Sequence, residues 1–245
     1  MGFFSPEIGI DLGTNNVLFY VADKGIVLRE PSLVIVSGGE KRIVQAVGEE
    51  ARQLLGRMPQ GFRAIWPIRE GVIADFDLAA SMLRYFIRRA LGVNYLGKPR
   101  TVLTIPAGVT SMERRAHEEA LLRAGGKLSY IVEGAIASAL GCGLPVYEPQ
   151  GSMIVSIGGG TTEIAVVSLG AAVVGKTLRI GGNAMDAAIA AYVKKEKNLL
   201  IGDRTAEDIK IDLGSAMAPV ETQKAMMRGR DVVTGLPRTA ALDTD

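Results

Sequence analysis

Cysteine and histidine are almost missing from this sequence, with one residue of each among 245. The single thiol, Cys142, cannot form an intramolecular disulfide, so the chain is no disulfide-stabilised scaffold and suits a reducing cytoplasm. The single imidazole, His117, lies in a charged helical pattern that runs from Met112 to Glu119. That pattern predicts a solvated surface residue rather than a catalyst or a metal ligand.

Excess charge and long apolar runs are missing as well. With 28 basic and 26 acidic residues the net charge is only +2, which argues against a nucleic-acid partner bound by bulk charge. No apolar run is long enough to span a bilayer, and Met1–Pro6 lacks the basic start and long apolar region of a signal peptide. We therefore expect a cytoplasmic protein. The apolar fraction of 48% excludes an intrinsically disordered chain.

A strand–turn–strand pattern with three consecutive glycines is the most informative stretch of the chain. The apolar run Ser152–Ile157 enters Gly158–Gly160, and the β-branched run Thr162–Val167 follows Thr161. Because glycine has no Cβ atom, the backbone N–H groups of such a turn can approach a phosphate closely. Taken alone, the pattern is equally typical of an ordinary glycine-rich hairpin.

A second hairpin of the same plan lies near the N-terminus. The apolar run Ile8–Leu12 enters the turn Gly13-Thr14-Asn15, and another apolar strand leaves it. Two such hairpins predict two related half-sites that face each other across a cleft. Asp11 stands beside the first turn, where a carboxylate would repel phosphate unless a cation lay between them. Asp11 is therefore a candidate for ordering Mg²⁺ and its waters, or else a turn carboxylate that hydrogen-bonds locally.

The remaining patterns predict alternating strands and helices, and hence a layered α/β protein. Residues 8–37 are expected to form a β-meander of four strands. Apolar spacing in Asp77–Leu91 predicts an amphipathic helix, and Ser111 is expected to cap the next helix. Glu133 follows an apolar strand at 130–132. Its carboxylate could orient a water for attack on a phosphate, or could simply be favoured by the start of the following helix.

Seven segments, in order, resemble the MreB/Mbl family of bacterial actin homologues, within the actin-like ATPase superfamily. They are IGIDLGTNN, GIVLREPSLV, IPAGVTSMERRA, GLPVYEPQGSMIVSIGGGTTEIAVVSLG, RIGGNAMDAAI, NLLIGDRTAEDIKIDLGSA and GRDVVTGLPRT. The resemblance covers nearly the whole chain. It implies an α/β actin-like ATPase fold, in which ATP lies between two lobes of ribonuclease-H-like type that carry small inserted subdomains.

The resemblance also implies the domain boundaries. The first lobe core would comprise residues 1–37 and 67–148, with a small inserted subdomain at 38–66. A partial second lobe core would comprise 149–181, and a second inserted subdomain 182–245. Since no further glycine-rich block follows Gly182, we expect the second lobe to be incomplete and the chain to be truncated at its C-terminus relative to the family.

The cofactors implied by the resemblance are ATP and Mg²⁺. No group of residues has metal-ligand spacing, so the metal is expected to arrive with the nucleotide. Asp11 would hold Mg²⁺ through a metal-bound water, and Glu133 would be the catalytic, water-positioning residue. Glu207 and Lys210 lie three apart on one helix face, so a surface ion pair is their alternative role. The nucleotide-binding residues would be Thr14, Asn15, Asn16, Gly158, Gly159, Gly160, Thr161, Gly182, Asn183, Glu207, Asp208, Ile209 and Lys210.

Departures from the family's pattern bear on activity. Ser156 stands where most relatives have an aspartate that helps to organise Mg²⁺ and water. Gly134 and Ala135 replace the second glutamate and the proline of a Glu-Glu-Pro block that begins at Glu133. Asn183 replaces an aspartate near the ribose, but asparagine can still bond a hydroxyl. The sequence therefore leaves open whether this chain hydrolyses ATP.

The function implied is that of a cell-shape-determining protein. Such a protein forms nucleotide-dependent filaments with copies of itself in the cytoplasm, at the inner face of the cell membrane, and directs wall synthesis with wall-elongation membrane proteins. Phe3, Phe4, Tyr95 and Leu96 are the candidate membrane contacts, unless the loop side chains fold back onto their own domain. The alternatives are a non-catalytic structural or regulatory filament module with weak or absent ATP binding, and a sugar or acetate kinase of the same superfamily, for which no second-substrate site is recognisable.

Overall fold

The structure, a computed structural model, describes residues 6–39, 42–92, 95, 97–217 and 220–244. Strands and helices alternate along the chain, as their sequence patterns predict. The strands are β1 (Glu7–Leu12), β2 (Asn16–Val21), β3 (Gly25–Pro31), β4 (Val34–Ser37), β5 (Ile43–Val47), β6 (Phe62–Ile65), β7 (Ile68–Arg69), β8 (Val72–Ile73), β9 (Arg100–Ile105), β10 (Lys127–Glu133), β11 (Ser152–Ile157), β12 (Thr162–Ser168), β13 (Ala171–Leu178), β14 (Leu199–Leu200), β15 (Lys224–Asp231) and β16 (Pro237–Asp243). The helices are α1 (Glu49–Leu54), α2 (Phe76–Leu91), α3 (Ser111–Ala124), α4 (Gly134–Gly141), α5 (Gly182–Lys197) and α6 (Asp203–Leu213).

The chain divides into two compact units, with the boundary between Arg179 and Ile180. The first unit holds a five-stranded sheet in the order β10-β9-β1-β2-β3, the sheets β5-β4-β6 and β11-β12-β13, and the short hairpin β7-β8. The second holds the sheet β14-β15-β16 with α5 and α6. None of the helices within the described ranges is long and apolar enough to cross a membrane.

The five-stranded sheet carries the first glycine hairpin. β1, β2 and β3 form an antiparallel meander, and β9 and β10 add to β1 in parallel. The prediction of a fourth meander strand is wrong, because β4 pairs with β5 and β6 instead. Val34, Ile35 and Val36 are all buried, so β4 is covered on both of its faces and lies at the centre of its own sheet.

Helices α2 and α3 pack against this sheet and close the main core. The Asp75 side chain accepts a hydrogen bond from Leu78 N at the start of α2, whose apolar stripe ends before Gly92. α3 begins with a capping box, in which the Thr110 hydroxyl accepts from Glu113 N and the Glu113 carboxylate accepts from Thr110 N. The N-cap is therefore Thr110, and the assignment of that role to Ser111 is off by one residue.

The prediction that His117 is a solvated surface residue is wrong. Its side chain is fully buried on the core face of α3, with Ala120, Leu121 and Ala124. The Nδ1 atom lies 2.8 Å from the carbonyl oxygen of Glu113, one helical turn earlier. Burial holds the pKa of His117 below its usual value of 6.5, so the neutral ring is the favoured form. The charged side chains of Arg115 and Glu119, by contrast, lie on the exposed side of the helix.

The β11-β12-β13 sheet carries the second glycine hairpin. Its inner face packs on α4, with Ala165 and Val167 of β12 buried against Ala135 and Ala139. The alternation along β12 places Glu163 on that same buried side. The second unit has a core of its own, formed by Val193, Leu199, Ile209, Met227 and Leu242.

Candidate functional site

The first glycine turn is tightly braced. Gly13 N donates to Asn16 O at 3.1 Å, and a Cβ atom at Gly13 would lie only 2.7 Å from that oxygen. Ser32 supports the turn from outside, because its hydroxyl donates to Gly13 O at 2.6 Å and its amide donates to Asn15 O at 2.9 Å. The turn therefore presents Thr14 and Asn15 in a fixed position.

The second turn lies directly against the first. Gly158 N donates to Thr161 O at 2.8 Å and closes the turn. A Cβ atom at Gly159 would lie 2.4 Å from Asn15 Cγ, and one at Gly160 would lie 2.4 Å from Thr14 Oγ1. Only glycine allows so close an approach, because any other residue would place a Cβ atom within contact distance of the facing side chain. The structure thus brings the two predicted phosphate turns together.

Gly71 contacts both turns, and it has no predicted role from the sequence. Its amide donates to Thr14 Oγ1 at 3.0 Å. It has a positive φ of 75°, and a Cβ atom there would lie 2.6 Å from Pro106 Cγ and 3.1 Å from Thr161 Cγ2. Glu70-Gly71 is the two-residue loop between β7 and β8, so the glycine signal for a tight hairpin was present in the sequence.

Asp11 lies at the exposed end of β1, beside the first turn. Its Oδ1 atom accepts a hydrogen bond of 2.6 Å from the hydroxyl of Thr104, its register partner on β9. Across the residues with assigned positions, no three His, Cys, Asp or Glu side chains form a group that could hold a metal ion. A metal here would need phosphate and water as further ligands, which is the arrangement predicted for Mg²⁺.

Glu133 is the last residue of β10 and the N-cap residue of α4. Within the described part of the chain its side chain makes no capping hydrogen bond, so the carboxylate does not cap the N-terminus of α4. The side chain is half-buried. This placement suits a water-positioning role, which remains a prediction.

Glu163 is a further acidic residue of this site, and it has no predicted role from the sequence. It is only 9% exposed, and its Oε2 atom accepts a hydrogen bond of 3.2 Å from Ala107 N. Burial raises the pKa of Glu163, the charges of Asp11 and Glu133 add to the rise, and hydrogen bonds from the amides of Ala107 and Ala135 oppose it. A charged residue on the buried side of an alternating strand was the signal available in the sequence.

Ser156 lies on β11 directly opposite Glu163, as its antiparallel register partner. The side chain is half-buried. An aspartate at this position would have its carboxylate beside that of Glu163. The hydroxyl that this chain has instead is neutral and can both donate and accept a hydrogen bond.

The remaining predicted nucleotide ligands lie in the second unit. Lys210 Nζ lies 2.8 Å from Asp186 Oδ1 and donates to Gly182 O at 3.3 Å. Lys210 therefore pairs with Asp186, and the surface pair with Glu207 that was its alternative role is not the observed one. The Ile209 side chain is buried in the core of the unit, whereas Asn183, Glu207 and Asp208 are exposed.

The candidate membrane contacts are described only at Tyr95. Phe3, Phe4 and Leu96 lie outside the described residues. Tyr95 lines a cavity of about 260 Å³ together with Arg84 and Arg88. Its hydroxyl is buried and has no hydrogen-bond partner among the residues whose positions are described.

Solved structures place this architecture among the actin-like proteins. MreB5 of Spiroplasma citri bound to ADP matches with a TM-score of 0.89 and 36% identity, over 98% of this chain and 72% of the other. The same protein bound to AMPPNP gives a TM-score of 0.90 and 36% identity, over 99% and 73%. The MamK double helical filament, at 19% identity and a TM-score of 0.75 over 96% of this chain and 72% of the other, shows the fold alone. The fold is actin-like α/β.

Sequence comparison narrows the class to one family. The family model of the MreB/Mbl protein matches residues 5–245. The cell shape-determining protein Mbl of Bacillus subtilis (strain 168) is 44% identical over 241 residues, which are 98% of this chain and 72% of the relative. The cell shape-determining protein MreB of Escherichia coli (strain K12) is 44% identical over 248 residues, covering 100% and 72%. The chain belongs to the MreB/Mbl family.

Proposed function

We propose that this chain is a nucleotide-dependent cytoskeletal protein that polymerises with copies of itself and helps to determine cell shape. The observation that carries the proposal is the contact of Thr14 and Asn15 with Gly159 and Gly160, because it joins two phosphate-type turns in one site. Membership of the MreB/Mbl family, relatives named for cell-shape determination and the nucleotides bound to Spiroplasma citri MreB5 support it.

The chemistry proposed for the site is ATP hydrolysis, used as a switch for polymerisation. ATP would supply the transferred phosphoryl group, and Mg²⁺ bound with it would offset the negative charge of the phosphates. The amides of Gly159 and Gly160 would hold phosphate oxygens, with the hydroxyl of Thr14 beside them, while the Gly158 amide closes the turn through Thr161 O. Asp11, whose carboxylate accepts a hydrogen bond from Thr104, would accept hydrogen bonds from metal-bound waters, and Glu133 would accept one from the attacking water.

The filament would lie at the inner face of the cytoplasmic membrane and direct wall synthesis with wall-elongation membrane proteins. Arg84 and Arg88 beside Tyr95 support a contact with anionic lipid. Cosedimentation with vesicles that contain about one third phosphatidylglycerol tests this contact, and Arg84→Glu with Arg88→Glu should weaken it. Equal binding of the doubly substituted chain would reject this surface as the lipid contact.

A second candidate function is a non-catalytic structural or regulatory filament module. Ser156 favours it, because a neutral hydroxyl organises a metal less well than a carboxylate does. Measuring the ATP affinity and the rate of phosphate release of the purified 245-residue chain distinguishes the two functions. A parallel measurement on a chain extended with the C-terminal segment of a relative provides the control. Tight binding with steady phosphate release supports the switch, whereas filaments without either support the module.

A further inference from the structure

One edge of strand β15 is open next to helix α6. β15 pairs with β16 along its length, but β14 pairs only with Arg230 and Asp231. A cavity of about 360 Å³ lies beside the rest of the strand, and its lining includes Asp208, Ile211, Asp212, Ala225, Met226 and Arg228. Successive side chains of a strand point to opposite faces of the sheet. Because the neighbours Ala225 and Met226 both line the cavity, it follows the edge of the strand rather than one face.

The hydrogen bonds near the end of β15 show which main-chain groups point to this edge. Asp231 N donates to Leu236 O, so the odd-numbered residues of the strand bond to the β16 side. The even-numbered residues face the β14 side, and β14 reaches no further along the strand than Arg230. The N–H and C=O groups of Met226 and Arg228 are therefore directed at the open edge. Within the described ranges no main-chain hydrogen bond outside the strand ladders involves them.

The groove along this edge carries unpaired charges of both signs. Asp208 and Asp212 lie one turn apart on α6, and Arg228 lies on β15. The ion pairs described in the second unit are Lys195–Glu196, Lys210–Asp186 and Arg238–Asp231. The groove residues are not among them. Ile211 and Met226 beside these charges are 69% and 71% exposed. The groove thus holds both members of a charge pair that does not form within one chain, as a self-complementary contact between two copies requires.

We propose that β15 of one chain pairs antiparallel with β15 of a second copy, so that the two sheets join through this edge. The inference rests on the proposed function, because it names one contact between copies. In the register centred on Met227, Met226 of each copy exchanges two hydrogen bonds with Arg228 of the other. A register centred on Met226 would add Lys224 to the pairing, but it would set Arg228 opposite Lys224, and like charges in that position are destabilising. The register centred on Met227 avoids this, and places Arg228 of each copy in the groove that carries the other copy's aspartates.

Met226→Pro tests the main-chain pairing. The Met226 N–H points to the open edge, so proline removes it without breaking a bond to β16, and an edge is where a strand tolerates proline. Met226→Ala is the matched control, because it removes the same side chain and keeps the N–H. In sedimentation velocity of the 245-residue chain without nucleotide, we expect the unsubstituted chain and the alanine variant to self-associate with affinities within about threefold. The proline variant should associate about tenfold or more weakly, since each dimer loses two hydrogen bonds.

Charge reversal tests the side-chain part of the contact. Arg228→Asp and Asp212→Lys should each weaken self-association, because each sets like charges against one another in the groove. An equimolar mixture of the two variants restores an attractive pair on both sides of the contact. It should therefore associate about tenfold or more tightly than either variant alone. A site for a foreign peptide would not be restored by mixing, so this experiment distinguishes a second copy from another partner.

Three outcomes would overturn the inference. They are an unsubstituted chain that stays monomeric up to its solubility limit, equal association of the proline and alanine variants, or a mixture that associates no more tightly than its components. Each of them leaves the proposed polymerisation standing if the unsubstituted chain still pellets as filaments with ATP. A chain that dimerises through β15 but forms no filaments with ATP refutes polymerisation and keeps this contact.

Discussion

Replacing Gly160 with alanine should separate the two glycine turns. The new Cβ atom would lie 2.4 Å from Thr14 Oγ1 and 2.9 Å from Thr14 Cβ. Thr14 is buried, and its hydroxyl oxygen accepts the hydrogen bond from Gly71 N, so it cannot turn away without leaving that amide unpaired. Overpacking of this kind costs about 1–3 kcal/mol, and the lost hydrogen bond about 1 kcal/mol more. We expect Gly160→Ala to lower the free energy of unfolding by about 2–4 kcal/mol.

Trp66 provides the assay, because it is the only tryptophan and lies in the first unit, so its fluorescence during urea unfolding reports on that unit alone. Gly158→Ala is the matched control: its Cβ atom would lie 3.4 Å from Thr161 O, an ordinary contact, and should cost below about 1 kcal/mol. Because the clash is with the Thr14 side chain, Gly160→Ala should cost less in a Thr14→Ala background. Equal costs in both backgrounds, or equal costs for the two glycine substitutions, would refute the contact.

The remaining predictions concern ligands and pH. Asp11→Ala should abolish Mg²⁺-dependent ATP binding, and unchanged Mg²⁺-ATP affinity in calorimetry would reject the metal role of Asp11. The buried His117 has a pKa below its unfolded value of 6.5, so its share of the stability is lost as the pH falls below 6.5. His117→Gln should therefore reduce the drop in unfolding free energy between pH 7.5 and 5.5, and an equal drop contradicts this. Ser156→Asp, in a chain extended with a relative's C-terminal segment, should raise phosphate release at saturating ATP and leave the affinity within a few-fold. Equal rates would count against a metal-organising role.

Sequence patterns were sufficient for the elements whose signals are local. The glycine hairpins and the helix α2 were predicted within a few residues, because turn chemistry and apolar spacing act over short distances. The pairing of β4 was not predicted correctly, because no residue within 8–37 distinguishes a fourth strand of the meander from the central strand of another sheet. Strand pairing depends on residues that are distant in sequence, here those of β5 and β6.

Within the candidate site, the sequence predicts roles only for residues that carry a recognisable motif, and not for residues defined by packing. Gly71 and Thr104 act through contacts with segments far along the chain. The prediction that His117 is solvated is wrong, and Glu163 had no predicted role. Periodicity carried the correct answer for both: His117 shares a helical face with Leu121, and Glu163 shares a strand face with Ala165. The burial of a polar side chain is better predicted from the face of the helix or strand on which it lies than from its neighbours in sequence.

The departures from the family's pattern at 134, 135 and 156 surround a single carboxylate, that of Glu163. Gly134 is in contact with it, the neighbouring amide of Ala135 lowers its pKa, and Ser156 is its cross-strand partner. The family's pattern would place carboxylates at 134 and 156, and two unit charges about 5 Å apart repel by about 3 kcal/mol at an effective dielectric constant of about 20.

Compared with the family's pattern, this chain has two fewer carboxylates beside Glu163 and one more amide N–H. Both differences favour the ionised form of Glu163 and oppose the effect of burial, which raises its pKa. Ser156→Asp would restore one of those charges beside Glu163. Its benefit to hydrolysis should therefore depend on Mg²⁺ to offset the repulsion, and the metal-free variant should be less stable at pH 7 than the unsubstituted chain.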